Sequence, residues 1–503
     1  MRESSGFFKD MQIPRFLWII LILFFIKCTI LAFFITPLWD IPDEPGHYSY
    51  IQDIAMGEGL PVLGETIIAP NVVENWWLQN KEARHLNWIA QHPPLYHIFG
   101  AIFLKIGGIF TQDPHWLFRI PRLTSVFFAT GTLFVIFLFL REFTKDEFFA
   151  LTCSAIVGLI PMYSNMASGT NHDVGLVFFC SLSILFFYRF ISTKLEKNAY
   201  LSALFIGAAG AIKFSAGLLA IPILLIIFIY LQGAWLIKLK NMAGICITAA
   251  ILPGFYLVRN WILFSNPFII SVDMDKTVNI KSVGLIEYLQ INPVIDHLFK
   301  NFFALIGWTG TGNGDVLLFQ ISGNFLLLLV ISLFIILSLS FWEYIQEIIN
   351  LKEREKYLII GFIILTFIII YMHLFFNKEY ILPQGLLYSI ILTIPFFSLA
   401  LIKSMSGDNL FRYFSLTIIA FYFIAFIYFF MIPLYETFGV LRAMHGRYFF
   451  PLIPLLIICY IYPAYKLIKP QQWVLFLIII GAALFELSFY LFGVIPFFQG
   501  VFL

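Results

Sequence analysis

Residues 16–38 read FLWIILILFFIKCTILAFFITPL, long enough to cross a bilayer as one helix. Such segments recur along the chain, and nothing else in it limits the fold so tightly. In hydrocarbon every backbone N–H and C=O must be satisfied within the protein, which leaves helices or closed barrels, and runs of about 20 apolar residues specify helices. Of the 503 residues 60% are hydrophobic and only 12% charged. A soluble globule would carry about twice that charged share. The expected fold is all-α, a polytopic transmembrane bundle forming a single membrane domain over residues 1–503.

Thirteen spans are expected: 16–38, 120–140, 148–165, 174–191, 199–212, 215–231, 243–264, 316–340, 357–376, 385–402, 413–433, 448–463 and 473–496. The span 199–212 is short and is expected to be bent or partly re-entrant. The first segment lacks a small-residue cleavage site and is expected to remain a helix. With the N-terminus cytoplasmic, every inner loop is basic, from Arg15 through Arg141, Lys145, Lys194, Lys238, Lys352 and Arg354 to Lys466 and Lys469, as the positive-inside rule requires. Counting residues 95–110 as a span would invert that pattern, so they are expected to lie at the outer interface. Two large outer loops result, 39–119 and 265–315. The first is too long for a plain connector, and the second is expected to carry an interfacial helix near 284–306.

This orientation puts all nine histidines (47, 85, 92, 97, 115, 172, 297, 373 and 445) outside or near the outer ends of spans. Asp273, Asp275, Lys276, Glu287 and Asp296 also fall in the second outer loop. The chemistry is therefore expected on the extracytoplasmic face of a cell membrane. The net charge of +2, with no basic tract, argues against nucleic acid as a partner. The five cysteines lie in apolar segments without ligand spacing and read as small buried hydrophobes. No glycine-rich nucleotide loop is present, so no nucleotide cofactor is expected.

Four constellations carry reactive groups. IPDEPGHYSYIQDIAMGEG follows the first span and places Asp40, Asp43, Glu44 and His47 at the membrane surface. Pro45 suits a first helical turn, and Asp43 and Glu44 would then stand one turn from His47. Such a group can deprotonate a hydroxyl or hold a divalent cation. Its plainer reading is helix capping with interfacial solvation. QHPPLYH (91–97) starts a helix at two prolines and offers His92 and Tyr96 on one side. SGTNHDV (168–174) brings Asn171, His172 and Asp173 into a short outer loop, where Asn171 or Asp173 can equally cap the next helix. The fourth set is basic: Lys213, Arg259, and Arg442 and Arg447 flanking His445. These can grip a phosphate, or snorkel to lipid headgroups.

In sequence these features run as PDEPGH at 42–47, QHPPLY at 91–96, RIPRLTSV at 119–126, NHD at 171–173, AIKFSAGLL around Lys213, LVRNWILFSNPF at 257–268, FFALIGW at 302–308 and HGRYFFPLIP at 445–454. In this order the chain resembles the GT-C superfamily of integral membrane glycosyltransferases, and the group like protein O-mannosyltransferases and aminoarabinose transferases. The resemblance implies a donor in which a sugar is linked to polyprenyl phosphate, used on the non-cytoplasmic face. It implies a general base in the first outer loop, placed on Asp43 with Glu44 next, and donor-phosphate contacts from Arg259, Lys213, Arg442 and Arg447. His47, His92, Tyr96, Asn171, His172, Asp173 and His445 would line the substrate cavity. Some relatives bind a divalent cation, so Asp43, Glu44, His47 and His92 are the ligand set expected for magnesium or manganese rather than zinc. The acceptor is a hydroxyl on a glycan, lipid or protein. The alternatives are a transporter or flippase of lipid-linked saccharide, and a ligase or polymerase using a polyprenyl-diphosphate donor.

Overall fold

The structure is a computed structural model and describes residues 13–76, 85–270, 283–292, 294–303, 305–306, 319–320, 324–349, 408–438 and 445–502. The fold is all-α and polytopic, as the hydropathy requires. Among the described residues seven helices are long and apolar enough to cross a membrane, or eight if one bent pair is a single span. Helices also occupy the expected spans 199–212 and 215–231, and helix Asn324–Ile349 stands where 316–340 was expected. The expected spans 357–376 and 385–402 lie outside the described residues.

The two short spans are the helices Glu196–Gly210 and Gly217–Tyr230, of 15 and 14 residues. At 1.5 Å per residue each is roughly 22 Å long, short of a ~30 Å hydrocarbon core. Between them Lys213 adopts an extended backbone (φ −153°, ψ 130°), which turns its side chain out of the helical path. The expected span 148–165 is likewise broken. Helix Glu147–Gly158 meets helix Pro161–Ala167 at 67°. Pro161 cannot donate to the preceding turn, which ends the first helix there. Lys27 of the first span fills the break: its Nζ donates to Gly158 O (2.6 Å), Ser164 Oγ (2.9 Å) and both oxygens of buried Glu486 (2.8 and 2.7 Å). An ion pair inside the bilayer thus ties together the first span, the broken span and helix Gln472–Phe489.

Three helices expected to end on the inner side close on a lysine in the left-handed conformation, a place usually taken by glycine. Lys145, Lys194 and Lys469 have φ of 59°, 57° and 45° and donate their N–H to Arg141 O, Phe190 O and Tyr465 O. The charge there also complements the helix dipole. Close packing holds the outer bundle: a Cβ on Gly207 would lie 2.4 Å from Ala249 O, so helices Glu196–Gly210 and Trp235–Phe264 cross backbone to backbone.

The segment 39–119, the expected first outer loop, is structured throughout its described part, with helices Glu44–Met56, Pro70–Asn75, Leu95–Phe110 and Pro114–Leu117 and a 3₁₀ turn at Trp88–Gln91. Helix Leu95–Phe110 buries Tyr96, His97, Gly100 and Ala101 and exposes the apolar side chains of Ile98, Ile102, Ile106 and Ile109. In the second outer loop the expected helix near 284–306 is two helices, Leu285–Ile291 and Val294–Phe303. Asp273, Asp275 and Lys276 lie outside the described residues.

Candidate active site

The site forms where helix Glu44–Met56 starts. Asp43 is its N-cap, held at φ 68° in the left-handed region, and Trp39 in the same loop stands at φ 69°. A non-glycine residue there costs about 1–2 kcal/mol and persists only where its surroundings over-determine it. The surroundings here are Glu44 and Arg122. Arg122 Nε and Nη2 reach Glu44 Oε1 and Oε2 at 2.7 Å each, and the pair is buried. Glu44 also accepts from Trp39 N and Thr170 N, both at 2.9 Å. The remaining guanidinium protons go to the carbonyls of Ala32, Thr36 and Pro37. With both oxygens doubly bonded, Glu44 is a brace between the first span, the entry helix and the 168–173 loop. Glu44, expected as a second catalytic carboxylate or cation ligand, thus has both oxygens engaged by protein groups.

Asp43 is different. It is only partly buried, and its Oδ1 accepts from Trp88 Nε1 at 2.9 Å. It also acts electrostatically on Arg447. Asp40 is 1% exposed, and neither of its oxygens has a hydrogen-bond partner among the described residues. Burial, then the charge of Glu44, pushes its carboxyl up to about 7, against the pull of Arg122.

Behind Asp43 lie four histidines. His47 Nδ1 is 3.0 Å from His97 Nε2, and His47 Nε2 is 2.8 Å from His172 Nδ1. The ring of His92 lies 4.6 Å from that of His172. Burial, followed by neighbouring rings and cations, holds His47, His97 and His172 well below the usual imidazole range, and His92 is pushed down to about 3. Each shift favours the neutral ring.

Next to His172 is the basic corner. Asp173 Oδ1 accepts from Lys213 Nζ at 2.7 Å, and Asp173 Oδ2 is 3.4 Å from Arg447 Nε. Lys213 stands over the Tyr448 ring at 4.2 Å. Lys213 comes from the break between two short helices, and Arg447 from the 3₁₀ segment Gly446–Leu452. That segment continues as one wall of an apolar cavity of about 840 Å³, lined by Phe302, Leu416, Phe423, Phe449, Leu452 and Leu456 among others.

Not every expected residue joins this cluster. Arg259 donates to Leu60 O (3.0 Å) and Pro61 O (2.8 Å) and lies on the Tyr256 ring, so its contacts brace helix Trp235–Phe264 against the outer loop. Tyr96 is fully buried behind His47 and bonds Ser125 Oγ at 2.7 Å. Asn171 Oδ1 accepts from Asp173 N at 2.8 Å, which is the capping alternative. His445 Nδ1 is 3.3 Å from Asn301 Oδ1, one residue before the 3₁₀ segment. Arg442 lies outside the described residues. No group of three or more His, Cys, Asp or Glu side chains among the described residues is placed to hold a metal ion. Of the expected ligands, Glu44 is occupied by Arg122 and His47 has both ring nitrogens bonded to imidazoles, so the four do not fit a cation. His97 and Arg122, both central here, had no role assigned from sequence. Each lay inside a quoted motif, but their partners are 50 and 78 residues away.

Fold and site together define a polytopic helical membrane protein whose acidic, histidine-rich and basic groups converge at one end of the bundle, beside an apolar cavity. Residues 91–261, about a third of the chain, match the family model described as dolichyl-phosphate-mannose-protein mannosyltransferase. Of the motifs that carry the resemblance to GT-C membrane glycosyltransferases, QHPPLY, RIPRLTSV, NHD and the one around Lys213 fall within that stretch. Among solved structures, the protein O-mannosyltransferase Pmt1–Pmt2 complex of S. cerevisiae, bound to its sugar donor, is similar at 16% identity and TM-score 0.33, over 51% of this chain and 35% of that chain. The chain therefore spans about a third of that relative's length. ArnT from Cupriavidus metallidurans, bound to undecaprenyl phosphate, is similar at 14% identity and TM-score 0.36, over 84% of this chain and 77% of that chain. No curated protein sequence matches the chain.

Proposed function

We propose that the protein transfers a sugar from a polyprenyl-phosphate donor to an acceptor hydroxyl on the outer face of the membrane. The observation that carries this reading is the adjacency of Arg447 and the apolar cavity on one seven-residue segment, Gly446–Leu452. A phosphate held by Lys213 and Arg447 then has its prenyl chain led into the cavity. Lys213 and Arg447 supply the cationic contacts a phosphodiester donor needs.

In this mechanism Asp43 takes the acceptor's proton as its oxygen attacks the anomeric carbon. The bond from that carbon to the phosphate oxygen breaks, and the phosphate leaves with the electron pair. Lys213 and Arg447 offset the charge that grows on it. Attack opposite the leaving group inverts the anomeric centre. No step runs through a cation. The acceptor hydroxyl is on a glycan, lipid or protein.

The test is release of free polyprenyl phosphate from a panel of labelled polyprenyl-phosphate sugars with a cell-envelope acceptor fraction. Wild type releases it, and Asp43→Asn, which keeps the left-handed cap because Asn tolerates that conformation, loses about 10²–10⁴-fold in turnover with its fold intact. Comparable turnover by Asp43→Asn would remove Asp43 as the base. Lipid binding without release from any donor would favour transport.

A further inference from the structure

Two hydrogen bonds join three imidazoles in a row. His97 Nε2 lies 3.0 Å from His47 Nδ1, and His47 Nε2 lies 2.8 Å from His172 Nδ1. The rings are at most 3% exposed, and burial favours the neutral form of each. A neutral imidazole carries one N–H and one bare nitrogen, and a bond between two rings needs one of each. Once His47 takes a tautomer its neighbours have no freedom, so the neutral row has two states only. In the outward state every proton is on Nε2: His97 donates to His47, His47 donates to His172, and His172 Nε2–H is left over. In the inward state every proton is on Nδ1, and His97 Nδ1–H is left over.

The ends of the row decide between them. At the inner end neither state gains a bond, because His97 Nδ1 has no hydrogen-bond partner among the described residues. At the outer end His172 Nε2 is 3.4 Å from Asp173 Oδ1. The inward state would set a bare lone pair beside that carboxylate, whereas the outward state sets an N–H there, so the outward state wins. Asp173 does not use up the N–H. His172 Nε2 makes no hydrogen bond among the described residues, and Asp173 Oδ1 already accepts from Lys213 Nζ at 2.7 Å. A buried N–H is thus left without a partner beside Lys213 and Arg447, which is the mark of a group awaiting a ligand.

We propose that His172 Nε2–H donates to an oxygen of the anionic phosphodiester held by Lys213 and Arg447, and that His47 and His97, acting through His172, keep the proton on that nitrogen. This rests on the donor site proposed above and adds a third contact to it. A third cation in so buried a corner would carry a further desolvation cost, whereas an uncharged N–H becomes a charge-assisted bond when the anion arrives. The partly exposed members of the corner are Lys213 and His92, whose ring lies 4.6 Å from that of His172.

The row is read by nitrogen-15 spectroscopy of the full-length protein in detergent, labelled on histidine, with His47→Gln, His97→Gln and His172→Gln assigning the resonances. Wild type is expected to show all three rings neutral and protonated on Nε2. A proton on Nδ1 of any of them overturns the proposal. The contact is tested by titration with farnesyl methyl phosphodiester, which carries one negative charge. The His172 Nε2–H resonance is expected to move as the probe saturates wild type, and an unmoved resonance overturns the contact without recourse to a further variant. His172→Gln offers an amide N–H near the same place and should bind within about threefold of wild type, whereas His172→Phe should lose roughly ten- to hundredfold, as for a hydrogen bond to a charged group. Equal losses in the two variants would assign the effect to packing and overturn the contact. Undiminished binding by His172→Phe overturns it too, and leaves the Lys213–Arg447 site standing. Failure of wild type to bind the probe overturns the donor site and the contact with it.

Discussion

At the scale of residues, the candidate site is built from carboxylates placed in unlike surroundings. Glu44 is saturated by Arg122 and two backbone N–H groups. Asp43 is strained and partly open, and Asp40 is buried with no protein partner among the described residues. Asp40 yields a prediction whose sign is fixed. Its folded value of about 7 is above its ordinary 3.8, so between these limits the folded state holds a proton the unfolded state has lost. Stability then falls as pH rises from about 4 to 7, and the cost is full above that range. Asp40→Asn removes this cost, on the order of 4 kcal/mol at full ionisation. The melting temperature of the variant should match wild type near pH 4.5 and exceed it at pH 8; equal curves at both would show that Asp40 is not held protonated. Asp43, Lys213 and Arg447 were legible in sequence as candidates because residue type and neighbouring motif single them out. The pairing of Glu44 with Arg122 was not legible because Arg122 sits on another helix, and short-range spacing carries no record of such a contact.

At the scale of elements, helix breaks do the placing. Lys213 emerges where two short helices are interrupted, and Asp173 follows a span broken at Leu159–Ile160. Sequence located these helices well, since hydropathy is a local property. It gave only a hint of the breaks, in the shortness of 199–212, because what stabilises them is distant: Lys27 and Glu486 reach one break from 131 and 322 residues away in the chain. The segment Gly446–Leu452 is set by contact at its first residue. A Cβ on Gly446 would lie 2.1 Å from Leu298 O and 2.4 Å from Phe302 N, both backbone atoms that cannot rotate away. Gly446→Ala should therefore shift Arg447 and lower activity about tenfold or more, chiefly through donor KM, while the remote helices stay intact. An unchanged KM in a folded variant would show that the backbone yields and that the segment does not set donor affinity.

At the scale of the whole molecule, the lysine-capped helix ends and the histidine cluster lie at opposite ends of the bundle's expected course through the membrane. The proposed orientation puts Lys145, Lys194 and Lys469 in the cytoplasm and the first outer loop outside. Exposed Glu58 and exposed Gln232 report the two sides. In a cysteine-free background, Glu58→Cys should react with a membrane-impermeant maleimide on intact cells, and Gln232→Cys only after permeabilisation. The reverse pattern would invert the topology and remove the site from the outer face. Sequence could propose this arrangement because charge bias is a sum over loops. It could not fix the number of spans, since the half-length helices are ambiguous by hydropathy alone.

One consequence belongs to the seven residues Gly446–Leu452. A single rigid stretch carries both the guanidinium and part of the greasy wall, whereas the acid and the imidazoles come from the entry loop and the spans beside it. The two halves of recognition are therefore separable by inheritance. If the proposed function holds, grafting this stretch with its supporting helix into a relative would move the choice of carrier lipid as a unit, and leave the choice of acceptor with the recipient.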